Sequence, residues 1–365
     1  MATSNDQHWF IGLMSGTSMD GVDAALIRTD GETVTEFGGC LTTPYDEAFR
    51  ERLRAILGLT RGSDVISAVE QDLTAFHCQA VRQLLAQENL AARDIQAIGF
   101  HGHTIAHDPA VRFTWQIGDG ERLARETGID VVYDFRTNDV AAGGEGAPLV
   151  PIFHKALADH LPKPACFLNV GGVANVTFIG SDGELVAFDT GPGNALIDDF
   201  LLARTGHGVD LDGATAAHGR VNSGILGRLM DNAYFDRKPP KSLDRGSLSG
   251  EAVSLLSTED GAATLTAFTV EAVSRAKYHL PEEVSQWLVC GGGRHNKTLM
   301  RRLRERLQAD VVPVEDHDMD GDALEAQAFG FLAARTRRQL PITFPKTTGA
   351  PRPLTGGRLA KAEKP

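Results

Sequence analysis

Cysteine is scarce in this 365-residue chain: Cys40, Cys78, Cys166 and Cys290 lie far apart and form no Cys-x-x-Cys pair. That spacing excludes a structural zinc site. The length excludes a disulfide scaffold, because a chain of this size buries a core without covalent staples. No apolar run approaches the roughly 20 residues that cross a bilayer. The start, MATSNDQHWFIG, has neither the basic head nor the long apolar core of a secretory signal, so a cytoplasmic protein is expected. Clusters of Lys and Arg are missing too, and the formal charge is −12. Nucleic acid and anionic membranes are therefore poor partners. A small anionic substrate stays compatible, because local loops can oppose the global charge. The sequence G-x-x-x-x-G-K-[ST] occurs nowhere, which excludes the P-loop.

What is present is a repeated grammar. Residues 12–23, GLMSGTSMDGVD, stand between apolar runs at 9–11 and 22–27, predicting strands over 9–12 and 22–28 with a small-residue loop between them. Backbone N–H groups and hydroxyls in such a loop suit phosphate oxygens, although an ordinary hairpin turn reads the same way. An Asp30-Gly31 turn and a strand over 32–38 follow. Helical spacing marks 46–57 and 69–87, and 95–100 is a buried strand. The second half repeats this, with strands over 165–170, 173–179 and 184–188, a break at Gly171-Gly172 and a turn at Asp182-Gly183. IRTDGETV at 27–34 is echoed by IGSDGELV at 179–186, identical at five of eight positions. A duplication is expected, giving two similar α/β lobes whose loops face each other across a cleft. The Gly/Ala/Pro-rich stretch 141–151 reads as the connection, which divides the chain into lobes 1–138 and 139–365. A last helix is expected over 322–338, and then a basic Pro/Gly-rich tail over 346–365.

Several motifs can carry chemistry. FDTGPGN at 188–194 places Asp189 at the end of a strand, where open α/β sheets bind ligands. A carboxylate there can serve as general base or reach a metal, or simply cap the next helix. Gly191 and Gly193 would admit a ligand close to the backbone. CGGGRHN at 290–296 offers bare backbone to a flat group, or a flexible turn. HGHTIAH at 101–107 lacks the glutamate of a zinc H-E-x-x-H site, so His101 reads instead as a donor to a polar substrate. Arg136 and Asp139 are a charged pair beside glycines, suited to substrate or to each other. Residues 316–321 imitate a calcium loop, but Gln327 at its twelfth position cannot supply the bidentate carboxylate. Asp322 with Glu325 reads as a helix cap, with Glu325 also a candidate for a magnesium shell.

Taken in order, GLMSGTSMDGVDAAL (12–26), GFHGHTIAH (99–107), QIGDG (116–120), DFRTNDVAAGGEGAPLVP (134–151), LNVGGVANVTF (168–178), FDTGPGNALID (188–198), CGGGRHN (290–296) and EAQAFGFLA (325–333) resemble the anhydro-N-acetylmuramic acid kinases. These belong to the actin-like/hexokinase-like ATPase superfamily. The resemblance implies two ribonuclease H-like lobes around an interdomain cleft. It also implies ATP-dependent phosphorylation of 1,6-anhydro-N-acetylmuramic acid at O6, with hydrolytic opening of the anhydro ring, in murein recycling. It implies Asp189 as the catalytic base, and Gly12, Leu13, Met14, Ser15, Gly16, Thr17, Ser18 and Met19, with Gly171, Gly172 and Asn175, around the ATP phosphates. Gly291, Gly292 and Gly293 would serve the nucleoside. His101, Arg136, Asp139, Gly191 and Asn194 would serve the sugar. Many superfamily members carry Asp at the end of the first strand for hydrated magnesium, whereas this chain has Ile11-Gly12-Leu13. Asp20, Asp23 or Glu325 would then hold Mg2+, which crowded phosphates require. A homodimer is what the family suggests.

Overall fold

A computed structural model of the protein describes residues 7–16 and 18–362; Thr17, read above as part of the phosphate loop, lies outside the described residues. The chain forms two compact units, Met1–Leu157 with Ala323–Pro365, and Ala158–Asp322.

The first unit is built on β1 (His8–Met14), β2 (Gly21–Thr29), β3 (Val34–Pro44), β4 (Ile95–Phe100), a separate hairpin of β5 (His103–Asp108) and β6 (Phe113–Ile117), and β7 (Val131–Tyr133). Its main sheet runs β3-β2-β1-β4-β7 and ends in a short strand, Arg358–Ala360. β1, β2 and β3 are an antiparallel meander, while β4 lies parallel to β1 and β7 parallel to β4. Side chains alternate across a strand, so Ile11 and Leu13 of β1 point into one core. There they join Ile66, Val69 and Leu73 of the helix Asp64–Gln87. That helix starts where Ser63 Oγ accepts the Ile66 N–H. Gly12 points the other way, towards the helix Leu324–Arg337, where an added Cβ would lie 1.6 Å from the Ala326 carbonyl oxygen.

The second unit repeats the plan with β8 (Ala165–Val170), β9 (Val173–Ile179), β10 (Leu185–Pro192), β11 (Gln286–Cys290) and β12 (Asp310–Pro313), ordered β10-β9-β8-β11-β12. Its meander is again antiparallel and β8, β11 and β12 are again parallel. The core joins Phe178, Phe188 and Trp287 to Val270 and Val273 of the helix Thr258–Ala276 and to Leu299 and Leu303 of the helix Lys297–Leu307.

The echoed octapeptides fall on the same turn of the two meanders. Asp30 Oδ1 accepts the Glu32 N–H at 2.9 Å and Asp182 Oδ1 accepts the Glu184 N–H at 2.7 Å. The glycines between adopt φ of +84° and +83°, the left-handed region that favours glycine.

Three expectations differ from what the structure holds. Residues 141–151 belong to the first unit rather than joining two lobes, because buried Asp139 organises them: its Oδ2 accepts the Gly146 N–H and its carbonyl the Gly144 N–H. The final helix packs on β1, β2 and β4, so the units do not divide at 138/139. The basic tail is built into the first unit through the strand Arg358–Ala360 on β7 and through Thr348, whose Oγ1 donates to Asp139 Oδ1 at 2.7 Å.

Candidate active site

In the second unit three glycine turns meet at the C-terminal ends of β8, β10 and β11. The Gly193 N–H donates to the Gly172 carbonyl at 2.9 Å and the Asn194 N–H to that of Gly171 at 2.7 Å. Asn194 Nδ2 donates to the Val170 carbonyl at 3.0 Å. Gly193 is required, since an added Cβ would lie 2.2 Å from the Gly171 carbonyl oxygen. Gly291, at φ +74°, closes the third turn, and an added Cβ would meet Asn169 Oδ1 at 2.3 Å. Gly292 and Gly293 follow it against Asn194 and Val170. Gly171, Gly172, Asn194 and residues 291–293 are therefore brought together, whereas an added Cβ on Gly191 would face Ala272 and Phe235.

Asp189 lies on β10 just before a bulge at Gly191, and the register sets it beside Asn175 of β9, which in turn faces Asn169 of β8. Asp189 Oδ2 accepts the Leu243 N–H at 2.8 Å, and its own N–H donates to the Lys241 carbonyl at 3.0 Å. Asn175 Oδ1 is buried without a hydrogen-bond partner. A buried acceptor left without a donor is costly, so this oxygen calls for a hydroxyl or water rather than for a phosphate oxygen.

Arg294 ties the third glycine turn to the acidic run. It donates to the Gly291 carbonyl, to Glu315 at 2.7 Å and to Asp322 at 2.8 Å. Burial works against the Arg294 charge, but the two carboxylates outweigh it and hold its pKa above the ordinary value. Asp322 is thus an arginine partner and not a helix cap; the final helix starts at Leu324 with Ala323 at its N-cap and no side-chain cap bond.

In the first unit Gly12, Leu13 and Met14 are strand residues, and the loop proper follows them. Ser15 is buried, its Oγ within 2.7 Å of the Tyr45 hydroxyl and 3.0 Å of His103 Nδ1. The Met19 N–H donates to the Gly16 carbonyl, and Met19 takes a φ of +55°. Ser18 Oγ donates to Asp20 Oδ1 at 2.7 Å, and Thr42 Oγ1 to Asp23 Oδ1 at 2.6 Å. Glu325 stands exposed in the first turn of the final helix. Among the described residues no group of three or more His, Cys, Asp or Glu is gathered to hold a metal ion. The three carboxylates form no resident cage, and an Mg2+ here would have to share its shell with phosphate and water.

The three histidines of HGHTIAH separate. His107 joins Thr114 Oγ1 and the Glu145 carbonyl. His103 joins Ser15, and His101 joins Arg136. Arg136 donates from Nε and Nη2 to His101 Nε2 at 3.1 and 3.0 Å, so His101 Nδ1 carries the proton given to the Gly102 carbonyl. Burial first, and the adjacent guanidinium second, hold the His101 pKa well below its usual value. Both ring nitrogens are engaged, so His101 orients Arg136 rather than donating to a substrate itself. A concavity of about 210 Å3 opens beside it, lined by Trp115, Gln116, Tyr133, Asp134 and Thr137 among others. Sequence reading missed Tyr45, His103 and the 234–243 segment. Tyr45 and His103 belong to no periodic pattern of their own, and only the fold brings them under the loop.

Two units with one strand order, each opening on a small-residue turn and the second ending a strand in a carboxylate, define a two-lobed ribonuclease H-like α/β protein. Among solved structures, component A of (R)-2-hydroxyglutaryl-CoA dehydratase from Acidaminococcus fermentans is similar at 11% identity and a TM-score of 0.48, over 90% of this chain and 99% of that one. At that distance the fold assignment rests on the strand order above. The chain belongs to the anhydro-N-acetylmuramic acid kinase family, whose sequence profile matches residues 8–362. The anhydro-N-acetylmuramic acid kinase of Paramagnetospirillum magneticum is 55% identical over 95% of this chain and 98% of its own length. That of Rhodospirillum rubrum is 53% identical over 96% and 93%. The family is one of ATP-using sugar kinases. No described helix is long and apolar enough to cross a membrane.

Proposed function

We propose that the chain transfers the γ-phosphoryl group of ATP to O6 of 1,6-anhydro-N-acetylmuramic acid while water opens the anhydro ring, giving N-acetylmuramic acid 6-phosphate. The observation that carries this reading is the Asp189 carboxylate, held by the Leu243 N–H at the strand end where three glycine turns converge. Asp189 takes a proton from water as the water oxygen bonds to the anomeric carbon. The bond from that carbon to O6 breaks, and O6 bonds to the γ-phosphorus as ADP leaves. The unsatisfied Asn175 Oδ1 accepts the second hydrogen of that water and aims its lone pair.

Ser15, Gly16 and Ser18 of the first loop and Gly171 and Gly172 of the second supply donors to the phosphates. Gly291, Gly292 and Gly293 leave room for the nucleoside. Arg136, aimed by His101, meets the lactyl carboxylate of the sugar, which a guanidinium fork suits. Asp139 shapes the 144–146 loop behind it. Asp20 or Asp23 would help to hold Mg2+, which would supply neutralising charge to the transferring group. The four cysteines are present as thiols, which supports a cytoplasmic setting.

Asp189→Asn is expected to keep ATP binding and lose ring opening and phosphorylation together. Mass spectrometry of product made in oxygen-18 water is expected to show the label on the anomeric hydroxyl. Near-normal turnover by Asp189→Asn, or an unlabelled product, overturns the reading.

A further inference from the structure

One short segment of the second unit closes on Asp189 from three directions. Tyr234 Oη donates to the Asp189 carbonyl at 2.5 Å, the Lys241 carbonyl accepts the Asp189 N–H at 3.0 Å, and the Leu243 N–H reaches Asp189 Oδ2 at 2.8 Å. Lys241 locks that segment on itself. Its Nζ donates to the Tyr234 carbonyl at 3.1 Å and lies 4.5 Å from the centre of the Tyr234 ring and 5.9 Å from that of Phe188, the residue before Asp189. Its side chain is almost wholly out of solvent, at 4% relative exposure. Lysine is seldom buried without a task, because desolvating an ammonium group is costly. Nothing in the ATP or sugar contacts proposed above uses it.

We propose that Lys241 is a positioning residue for the general base: it fixes the 234–243 segment around Asp189 and keeps a buried positive charge within electrostatic reach of the carboxylate. The proposal rests on the reading of Asp189 as base. Burial pushes the Lys241 pKa down to about 8. Arg237 lowers it further, while Asp236 and Asp189 draw it back up. The other titratable and charged groups near this segment are Tyr234, Lys238, His279 and the exposed Arg275, whose guanidinium lies 5.9 Å from the centre of the Phe235 ring. The His279 ring stacks edge-on against Phe188 at 5.9 Å, and its pKa is lowered by burial and by the cations of Lys241 and Lys238. Among these groups Lys241 is the buried cation. Its loss should therefore make Asp189 harder to ionise, as the removal of a nearby opposite charge does.

The test compares pH profiles of kcat/KM for Lys241→Met and Lys241→Arg with the unmodified enzyme. In Lys241→Met the acidic limb is expected to move up by about one pH unit, with KM for ATP unchanged; Lys241→Arg is expected to return the limb to its original place. A limb that stays put in folded Lys241→Met overturns the proposal, because a merely structural role lowers the plateau without moving the limb. Should Lys241→Met fail to fold, carbon-13 NMR of carboxyl-labelled aspartate in the unmodified protein decides. The Asp189 resonance, identified by its absence in Asp189→Asn, is expected to show a second inflection near pH 8 as Lys241 titrates, and a single inflection overturns the proposal. Failure of the underlying reading looks different: Asp189→Asn would then retain turnover, whatever the limb does.

Discussion

Ser15 shows how much a single residue of the first loop depends on what lies beneath it. Its hydroxyl is buried between the Tyr45 hydroxyl and His103 Nδ1, so the loop that begins there is tied to the core through two side chains. Tyr45→Phe removes one partner and leaves the Ser15 hydroxyl short of a hydrogen bond, a loss of about 1 kcal/mol. If Ser15 serves ATP, KM for ATP is expected to rise roughly three- to tenfold while KM for the sugar holds; isothermal titration with a non-hydrolysable ATP analogue checks it. Gly12 is constrained from the opposite side. Because an added methyl would sit inside van der Waals contact with the Ala326 carbonyl, Gly12→Ala must push β1 away from the final helix. The variant is expected to lose about 3 kcal/mol or more of stability, measured by urea unfolding, without any change in a ligand contact.

At the scale of elements, the meanders were legible and the helix that fills the second unit was not. Apolar runs and Asp-Gly turns give β1, β2, β8 and β9 their ends within two residues, because each turn has its own side-chain hydrogen bond, whereas β3 runs on to Pro44 and β10 to Pro192, beyond the ends expected at 38 and 188. The helix Thr258–Ala276 left no amphipathic stripe, since nearly every residue from Gly261 to Ala276 is buried and a helix buried all round has no polar face. Its readable signal was the cap alone: Ser257 Oγ accepts the Asp260 N–H at 3.1 Å. Ser257→Ala is accordingly expected to cost about 1 kcal/mol and to lower the thermal midpoint by a few degrees in calorimetry. For the candidate site the legible part was the set of glycine turns and Asp189. The illegible part was what holds Asp189, because Tyr234, Lys241 and Leu243 lie on short turns with no periodicity and reach β10 only through tertiary contact.

The two units share a plan but differ in how they meet acid and in how the chain builds them. His77, His103 and His154 are buried in the first unit, with pKa values lowered by burial to about 4, about 4 and about 3, and His101 is held well below its usual value. In the folded state they stay neutral, whereas the unfolded chain takes up protons once pH falls below about 6.5. Stability from these groups is therefore full above about pH 7 and is lost as pH drops from 6.5 towards 4. In the second unit burial and the neighbouring lysines lower the pKa of His279, which is partly exposed. Hydrogen exchange followed by mass spectrometry is expected to show the first unit losing protection before the second on acidification to pH 5. Connectivity separates them further. The second unit is one continuous stretch, Ala158–Asp322, that carries all five of its strands and both helices of its core. The first unit borrows its final helix and an edge strand from the far end of the chain, and without Leu324–Arg337 the face of β1 and β4 that meets Ala326 and Phe329 would be bare. A fragment spanning 158–322 is expected to fold alone, with cooperative thermal unfolding and dispersed amide resonances. A fragment spanning 1–157 is expected to remain unfolded until a chain carrying 323–365 is supplied. Cooperative folding of 1–157 by itself would show that the final helix covers its sheet without being needed to build it.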